Sequence, residues 1–271
     1  MTRTRPLSIA LLVLASMLAL ATPCRAKVLK TRRANRPPGV LDFTIGAALE
    51  FQTDVEATEY GLPMLLEWSP RPTLTLTAEP TFVSILPKAS AAIHGLDDLD
   101  SAIEWEFVSE RRTRPAVALQ GEIKWPTTTH LAIGDRRREF GLGVLVSKEL
   151  VPANLSLNVI AGRSARPSLG QVRDIVQISA AAEWHLNPDL DLQAELLTTQ
   201  GFGPLRGPID PRNPNAEPLN VPGRGTGEVE ATLGLAQLFG KRLKLEEAAI
   251  VQTDGTWQAI VAWEWDFGGG R

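Results

Sequence analysis

Beyond about residue 40, apolar and polar residues alternate one by one through most of the chain. The final stretch shows it most clearly. Trp257, Ala259, Val261, Trp263, Trp265 and Phe267 are apolar, while Gln258, Glu264 and Asp266 stand between them. Successive side chains of a β-strand point to opposite faces, so this stretch carries a greasy face with aromatic ends and an acidic face. About eleven residues is also the length of a tilted strand that crosses a bilayer.

The same pattern predicts twelve strands. The first is Leu41 to Phe51, the second Tyr60 to Trp68, and the third Thr73 to Val83 with Leu74, Leu76, Ala78 and Phe82 together. The fourth carries Leu99, Ile103, Trp105 and Phe107, the fifth Val117, Leu119, Ile123 and Trp125. Phe140 to Val146, Leu155 to Ala161, Val176 to Trp184, Leu190 to Leu196 and Val229 to Leu235 supply the next five. The eleventh, Arg242 to Val251, is the weakest: Glu247 falls on its apolar face, which predicts a bulge or a different register there. The connections alternate as well. Ser69 to Pro72, Ser109 to Arg114, Lys148 to Ala153, Leu186 to Asp189 and Phe239 to Lys241 are short, and the others are mostly longer. Short periplasmic turns, longer external loops and an even strand count belong to outer-membrane barrels. The expected fold is all-β, a transmembrane antiparallel up-and-down β-barrel of about twelve strands over residues 39–267.

Placed on that topology, the aromatics fall into two belts on the apolar face, as rings that favour membrane interfaces should. Trp68, Trp105, Trp184, Trp265 and Phe267 belong to the periplasmic belt, and Trp125 and Trp257 to the external one. The opposite face is polar and mostly acidic. Glu67, Glu79, Glu104, Glu106, Glu122, Glu183, Asp191, Glu195, Glu228 and Glu230 point inward, with Lys124 and Gln193 among them. A dry core could not hold so many carboxylates without partners, whereas a wet lumen can. Such a lumen would favour cationic or polar neutral solutes, unless inward charges pair and plug a barrel this narrow.

Composition adds the compartment. Residues 1–26 read as a secretory signal peptide: Arg3 and Arg5, a short apolar run, then small-residue cleavage patterns ending at Ala21 or Ala26. Cleavage after Ala26 would remove Cys24, the one cysteine. Residues 27–38 form a basic periplasmic lead-in, and residues 268–271 a short tail. The formal net charge of −3 gives no support for nucleic-acid binding. Gln200 to Thr226 is the longest loop and dense in Gly and Pro, so it could fold into the mouth. Arg136, Arg137 and Arg138 could meet lipopolysaccharide phosphates. The outer membrane, its lipids, a small-molecule solute and the barrel-insertion machinery are the expected surroundings and partners.

Catalysis has little to stand on. His94 and His130 lie in external loops and His185 near the periplasmic rim, none with a serine and an orienting partner at obvious strand spacing. Nor are histidines paired for a metal, and no cofactor is expected. An outer-membrane lipid-modifying enzyme and a closed structural or surface-binding barrel are the alternatives to a channel.

The residues also carry a likeness. Gly61-Leu62-Pro63 leading to Glu67, Leu74 to Pro80, Gly95-Leu96-Asp97-Asp98, Ile103 to Phe107, Ala116 to Pro126 and Ile133-Gly134-Asp135 resemble the family described as MetA-pathway of phenol degradation. Asp97 stands where that family tends to have a second glycine, and Asp135-Arg136 where it has Gly-Lys. The resemblance implies an outer-membrane barrel with a transporter-like role, for small solutes that include hydrophobic or aromatic compounds.

Overall fold

The computed structural model describes Ala34 and residues 41–51, 57–87, 91–130, 133, 138–164, 174–202, 204–206, 220–222, 228–240, 242–253 and 257–267. The signal peptide, the lead-in apart from Ala34, the tail, Arg136, Arg137 and most of the Gly- and Pro-rich loop lie outside the described residues.

Among the described residues every regular element is a strand. These are β1 (Leu41–Phe51), β2 (Ala57–Arg71), β3 (Leu74–Glu79), β4 (Thr81–Pro87), β5 (Ile93–Leu96), β6 (Leu99–Val108), β7 (Ala116–Trp125) and β8 (Glu139–Leu150). Then come β9 (Ala153–Ser164), β10 (Asp174–Asn187), β11 (Leu190–Phe202), β12 (Pro204–Arg206), β13 (Asn220–Pro222), β14 (Glu228–Phe239), β15 (Leu243–Gln252) and β16 (Trp257–Asp266).

Pairing is antiparallel and closes on itself. It runs β1-β16-β15-β14-β11-β10-β9-β8-β7-β6-β3-β2, and β2 returns to β1 through pairs such as Phe43↔Leu66. The ring is a barrel of twelve staves. Two staves are each built from two strands in line. β2 pairs with β3 along its short-turn half and with β4 along its outer half, and the break falls at Pro80. Proline has no N–H to give to a ladder, so a strand tends to break there. Its carbonyl still accepts from the Met64 N–H at 2.9 Å, and the Asp97 N–H donates to Thr81 at 2.9 Å. Asp97 and Asp98 separate β5 from β6 in the facing stave. The third segment, expected to be continuous from Thr73 to Val83, is therefore kinked. β12 and β13 form a separate ribbon within the longest loop.

The wall is amphipathic in the reverse sense of a soluble protein. Glu104 is 4% exposed while its neighbour Trp105 is 54% exposed, and Leu142 is 74% exposed. In a closed sheet the shielded face is the interior, so polar side chains look in and apolar ones look out. Leu119, Val144, Leu157, Ile178, Leu196 and Leu233 repeat this on successive strands. An apolar belt of this extent would be exposed to water in a soluble monomer, and hydrocarbon is the medium that suits it.

The turns at one end are tight: Pro72-Thr73, Val151-Pro152, Pro188-Asp189 and the β14–β15 turn, where Gly240 takes φ 72°. A left-handed residue is cheap only for glycine. By the rule of short periplasmic turns this end is periplasmic.

The eleventh segment departs from expectation. β15 shows no bulge; it pairs residue for residue from Leu243 to Val251 with β16 and on to Gln252 with β14. Glu247 is exposed on the outward face, opposite Leu235 and Val261. A slip of one residue would exchange the two faces of the strand, turning Val251 inward and Ile250 outward. One outward carboxylate costs less, since acids are tolerated on the lipid face better than Arg or Lys.

Leu233 lies at mid-height of β14 on the outward face. Leu233→Arg should destabilise the barrel by about 2–4 kcal/mol in chemical unfolding from lipid vesicles. A loss within experimental error would remove hydrocarbon from that face.

Candidate solute pathway

The interior face gathers the predicted polar residues from β2, β3, β6, β7, β10, β11 and β14. Glu67, Glu104, Asp191, Gln193, Glu195 and Glu230 are buried there. Glu79, Glu106, Glu122, Lys124 and Glu183 are half-buried on the same face, and Glu228 is exposed at the outer end of β14. The predicted belt residues stand on the other face. Trp68, Trp105, Trp184 and Phe267 are exposed near the short-turn end and Trp125 near the outer end, while Trp257 and Trp265 are half-buried. Phe43 stacks on Trp265 with ring centroids 6.5 Å apart, beside the β1–β16 seam. The Arg138 guanidinium lies 5.5 Å over Trp125, a cation–π contact at the outer rim.

In the outer half the lumen opens into a cavity of about 220 Å³. Its carboxylates are Glu79, Asp100, Glu122 and Glu139, and its cations Lys124 and Arg163. Arg163 is tied to Asp174, Nε donating to Oδ1 at 2.5 Å. Gln120 steadies Glu122, Nε2 donating to Oε2 at 2.9 Å.

The room for this cavity comes from glycine, a signal the strand pattern conceals. Register aligns Glu122, Gly141, Gly162 and Ile175 in one row across β7, β8, β9 and β10. A Cβ at Gly141 would overlap the Glu122 side chain, and one at Gly162 would stand 2.9 Å from Ile175 Cγ1. In the next row a Cβ at Gly143 would stand 2.8 Å from Ile160 Cγ1. In sequence these glycines look like ordinary small residues in a strand. Only the cross-strand register shows that they thin one wall side by side.

Ala181 of β10, Ile250 of β15 and Ile260 of β16 form one buried apolar cluster, with Ala248 against it. β11 and β14 separate β10 from β15 in the sheet, so side chains from two sectors meet within the lumen. Toward the periplasmic end lies an ionic layer. Lys244 Nζ pairs with Glu246 and lies 3.5 Å from Glu264 Oε2, while Gln193 Nε2 donates to Glu246 Oε1 at 3.2 Å. Gln193 stands opposite Gly234, which has no side chain to block that reach.

His185 has partners that the sequence pattern does not reveal. Its Nδ1 is 2.6 Å from Asp191 Oδ1 across the β10–β11 hairpin, and its Nε2 is 3.0 Å from Asn154 Nδ2. With Nδ1–H donating to the carboxylate and Nε2 accepting from the amide, both ring nitrogens are engaged. A general base needs one nitrogen free for the nucleophile's proton, so this arrangement holds the rim rather than a serine. Among the described residues no group of three His, Cys, Asp or Glu side chains is arranged to hold a metal ion.

No protein-family profile and no curated protein matches the chain, so the phenol-degradation family remains a resemblance of residues and motifs. Solved structures do match. An outer membrane channel from Pseudomonas putida F1 superposes with a TM-score of 0.67 at 14% identity, over 89% of this chain and 100% of that one. The NanC porin gives 0.55 at 10% identity, over 83% of this chain and 98% of that one. The KdgM porin gives 0.54 at 8% identity, over 83% and 99%. At such identities the likeness is one of fold, and the fold is that of the outer-membrane β-barrels.

Gly141→Leu should drive the Glu122 carboxylate into the cavity and lower single-channel conductance by roughly twofold or more, because it fills space beside a charged wall of the path. Leu142→Val, on the outward face next door, should leave it unchanged. Equal conductance in both variants would take the cavity off the path.

Proposed function

We propose that the chain is an outer-membrane channel for small solutes that prefers cationic or polar neutral ones. One observation carries the reading: a closed barrel whose interior face is polar and predominantly acidic, opening into a cavity with four carboxylates against two cations. Low-dielectric walls focus the field of like charges, so such a vestibule concentrates cations and repels anions. The fold likeness to channels and porins supports the same reading. In this proposal the signal peptide directs export and the barrel-insertion machinery places the barrel. The aromatic belts meet lipid headgroups, and Arg136, Arg137 and Arg138 meet lipopolysaccharide.

The apolar cluster of Ala181, Ile250 and Ile260 favours a second reading, in which hydrophobic or aromatic compounds pass along that apolar part of the interior. The sequence resemblance points the same way.

Ion selectivity separates the two. Planar-bilayer recording across a salt gradient should show cation preference. In the Glu104→Gln, Glu122→Gln, Glu195→Gln triple variant the permeability ratio should fall by roughly twofold or more. An unchanged ratio would remove the carboxylates from selectivity, and uptake of an aromatic solute with no ion current would favour the second reading.

A further inference from the structure

Two buried polar atoms on the wall of the outer cavity have no partner. Gln120 is 3% exposed and Ser164 8%, and both line the cavity. Gln120 Nε2 donates to Glu122, but its Oε1 accepts nothing, and Ser164 Oγ bonds to nothing among the described residues. Buried polar groups are almost always hydrogen-bonded, so orphans that face a cavity point to a ligand that pairs them.

The charges beside them are not tied together either. Register sets Lys124 of β7 between Asp100 of β6 and Glu139 of β8, with Glu122 two residues away on the same face of β7. Among the described residues, Lys124 and Glu139 nevertheless make no ion pair, with each other or with any other group. Beyond the space left by Gly141 and Gly162, Ile160, Ile175 and Leu197 add an apolar lining.

This mixture selects by charge and by size. A simple cation would meet the carboxylates but leave the Lys124 ammonium unpaired beside it. A simple anion would pair that ammonium but face four carboxylates. A solute carrying both an ammonium and a carboxylate satisfies both signs through charge-assisted hydrogen bonds. A volume of about 220 Å³ lies below the roughly 300–1,000 Å³ of pockets for drug-sized ligands, so the solute is small.

We propose that the cavity is a binding subsite for a small zwitterion, an α-amino acid with an apolar side chain. Its ammonium donates to Glu122 and Gln120 Oε1, its carboxylate accepts from Lys124, and its side chain lies on the isoleucines and Leu197. The Ser164 hydroxyl, which can donate or accept, serves whichever end reaches it. Binding stands on the cavity alone. That the subsite lies on a path of passage rests on the channel reading above, with the zwitterion as one of its polar neutral solutes.

Three solutes of one skeleton make the test at pH 7: leucine, isoamylamine, which lacks the carboxylate, and 4-methylpentanoate, which lacks the ammonium. In equilibrium dialysis of radiolabelled leucine with the folded barrel in detergent, unlabelled leucine should displace the label at roughly tenfold lower concentration than either relative. This competition needs no variant to fold. Lys124→Met should weaken leucine by roughly tenfold and leave isoamylamine as tight or tighter, whereas Glu122→Gln should weaken both. No leucine binding, equal displacement by either relative, or a Lys124→Met that weakens leucine and isoamylamine alike would overturn the subsite. In planar bilayers leucine should interrupt the single-channel current of the unaltered barrel and spare that of Lys124→Met. Binding without interruption would take the subsite off the path. A barrel that conducts in no form would sink the channel reading, while dialysis still decides the subsite.

Discussion

The structure depends on closing a sheet in a medium that offers no hydrogen bonds. Hydrocarbon cannot satisfy a backbone N–H or C=O, and each one left open costs several kcal/mol. An open sheet has two such edges, and a barrel has none. The seam between β1 and β16 runs as ten residue pairs from Asp42↔Asp266 to Phe51↔Trp257, and the Phe267 N–H extends it to Leu41 at 2.9 Å. With closure satisfying the backbone, the side chains only have to match two media. Carboxylates at Glu104 and Glu195 and tryptophans at Trp105 and Trp184 are then consistent requirements of one wall.

Closure also explains how the interior acquires its layers. Strands at fixed register bring side chains from distant parts of the sequence into rows, and each row depends on what its neighbours omit. Gly141 and Gly162 omit side chains and leave a cavity beside Glu122. Gly234 omits one and lets Gln193 reach Glu246. Ala116 and Ala118 are short and leave room for Ala34, which packs against them. Sequence change in such a lumen acts through space left or filled as much as through charge.

Much of the fold was legible in the chain because a period of two is strong when both faces are demanding. Lipid requires apolar residues and water permits charge, so strands such as Val176 to Trp184 show the alternation with few errors, and all twelve staves were predicted. What failed was whatever depends on partners. Pro80 breaks one stave into β3 and β4, both paired with β2, a break that the alternation of Leu74, Leu76, Ala78 and Phe82 does not reveal. Glu247 suggested a bulge because the pattern weighs each residue alone, whereas the register of β15 is set by ladders on both sides. The candidate site was read as a list of inward charges. Its glycine row, its apolar cluster of Ala181, Ile250 and Ile260, and the hydrogen bonds of His185 arise across strands, and nothing along the chain announces them.

The most direct measurement of the central claim is a spin-label scan along β14 in lipid vesicles, one cysteine at a time from Val229 to Phe239. Each label is read for collision with oxygen, which partitions into hydrocarbon, and with a water-soluble nickel chelate. Collision with oxygen should peak at Ala231, Leu233 and Leu235 and with nickel at Glu230, Thr232 and Gly234, a strict period of two in opposite phase. A flat profile, or oxygen peaking on the acidic face, would contradict it.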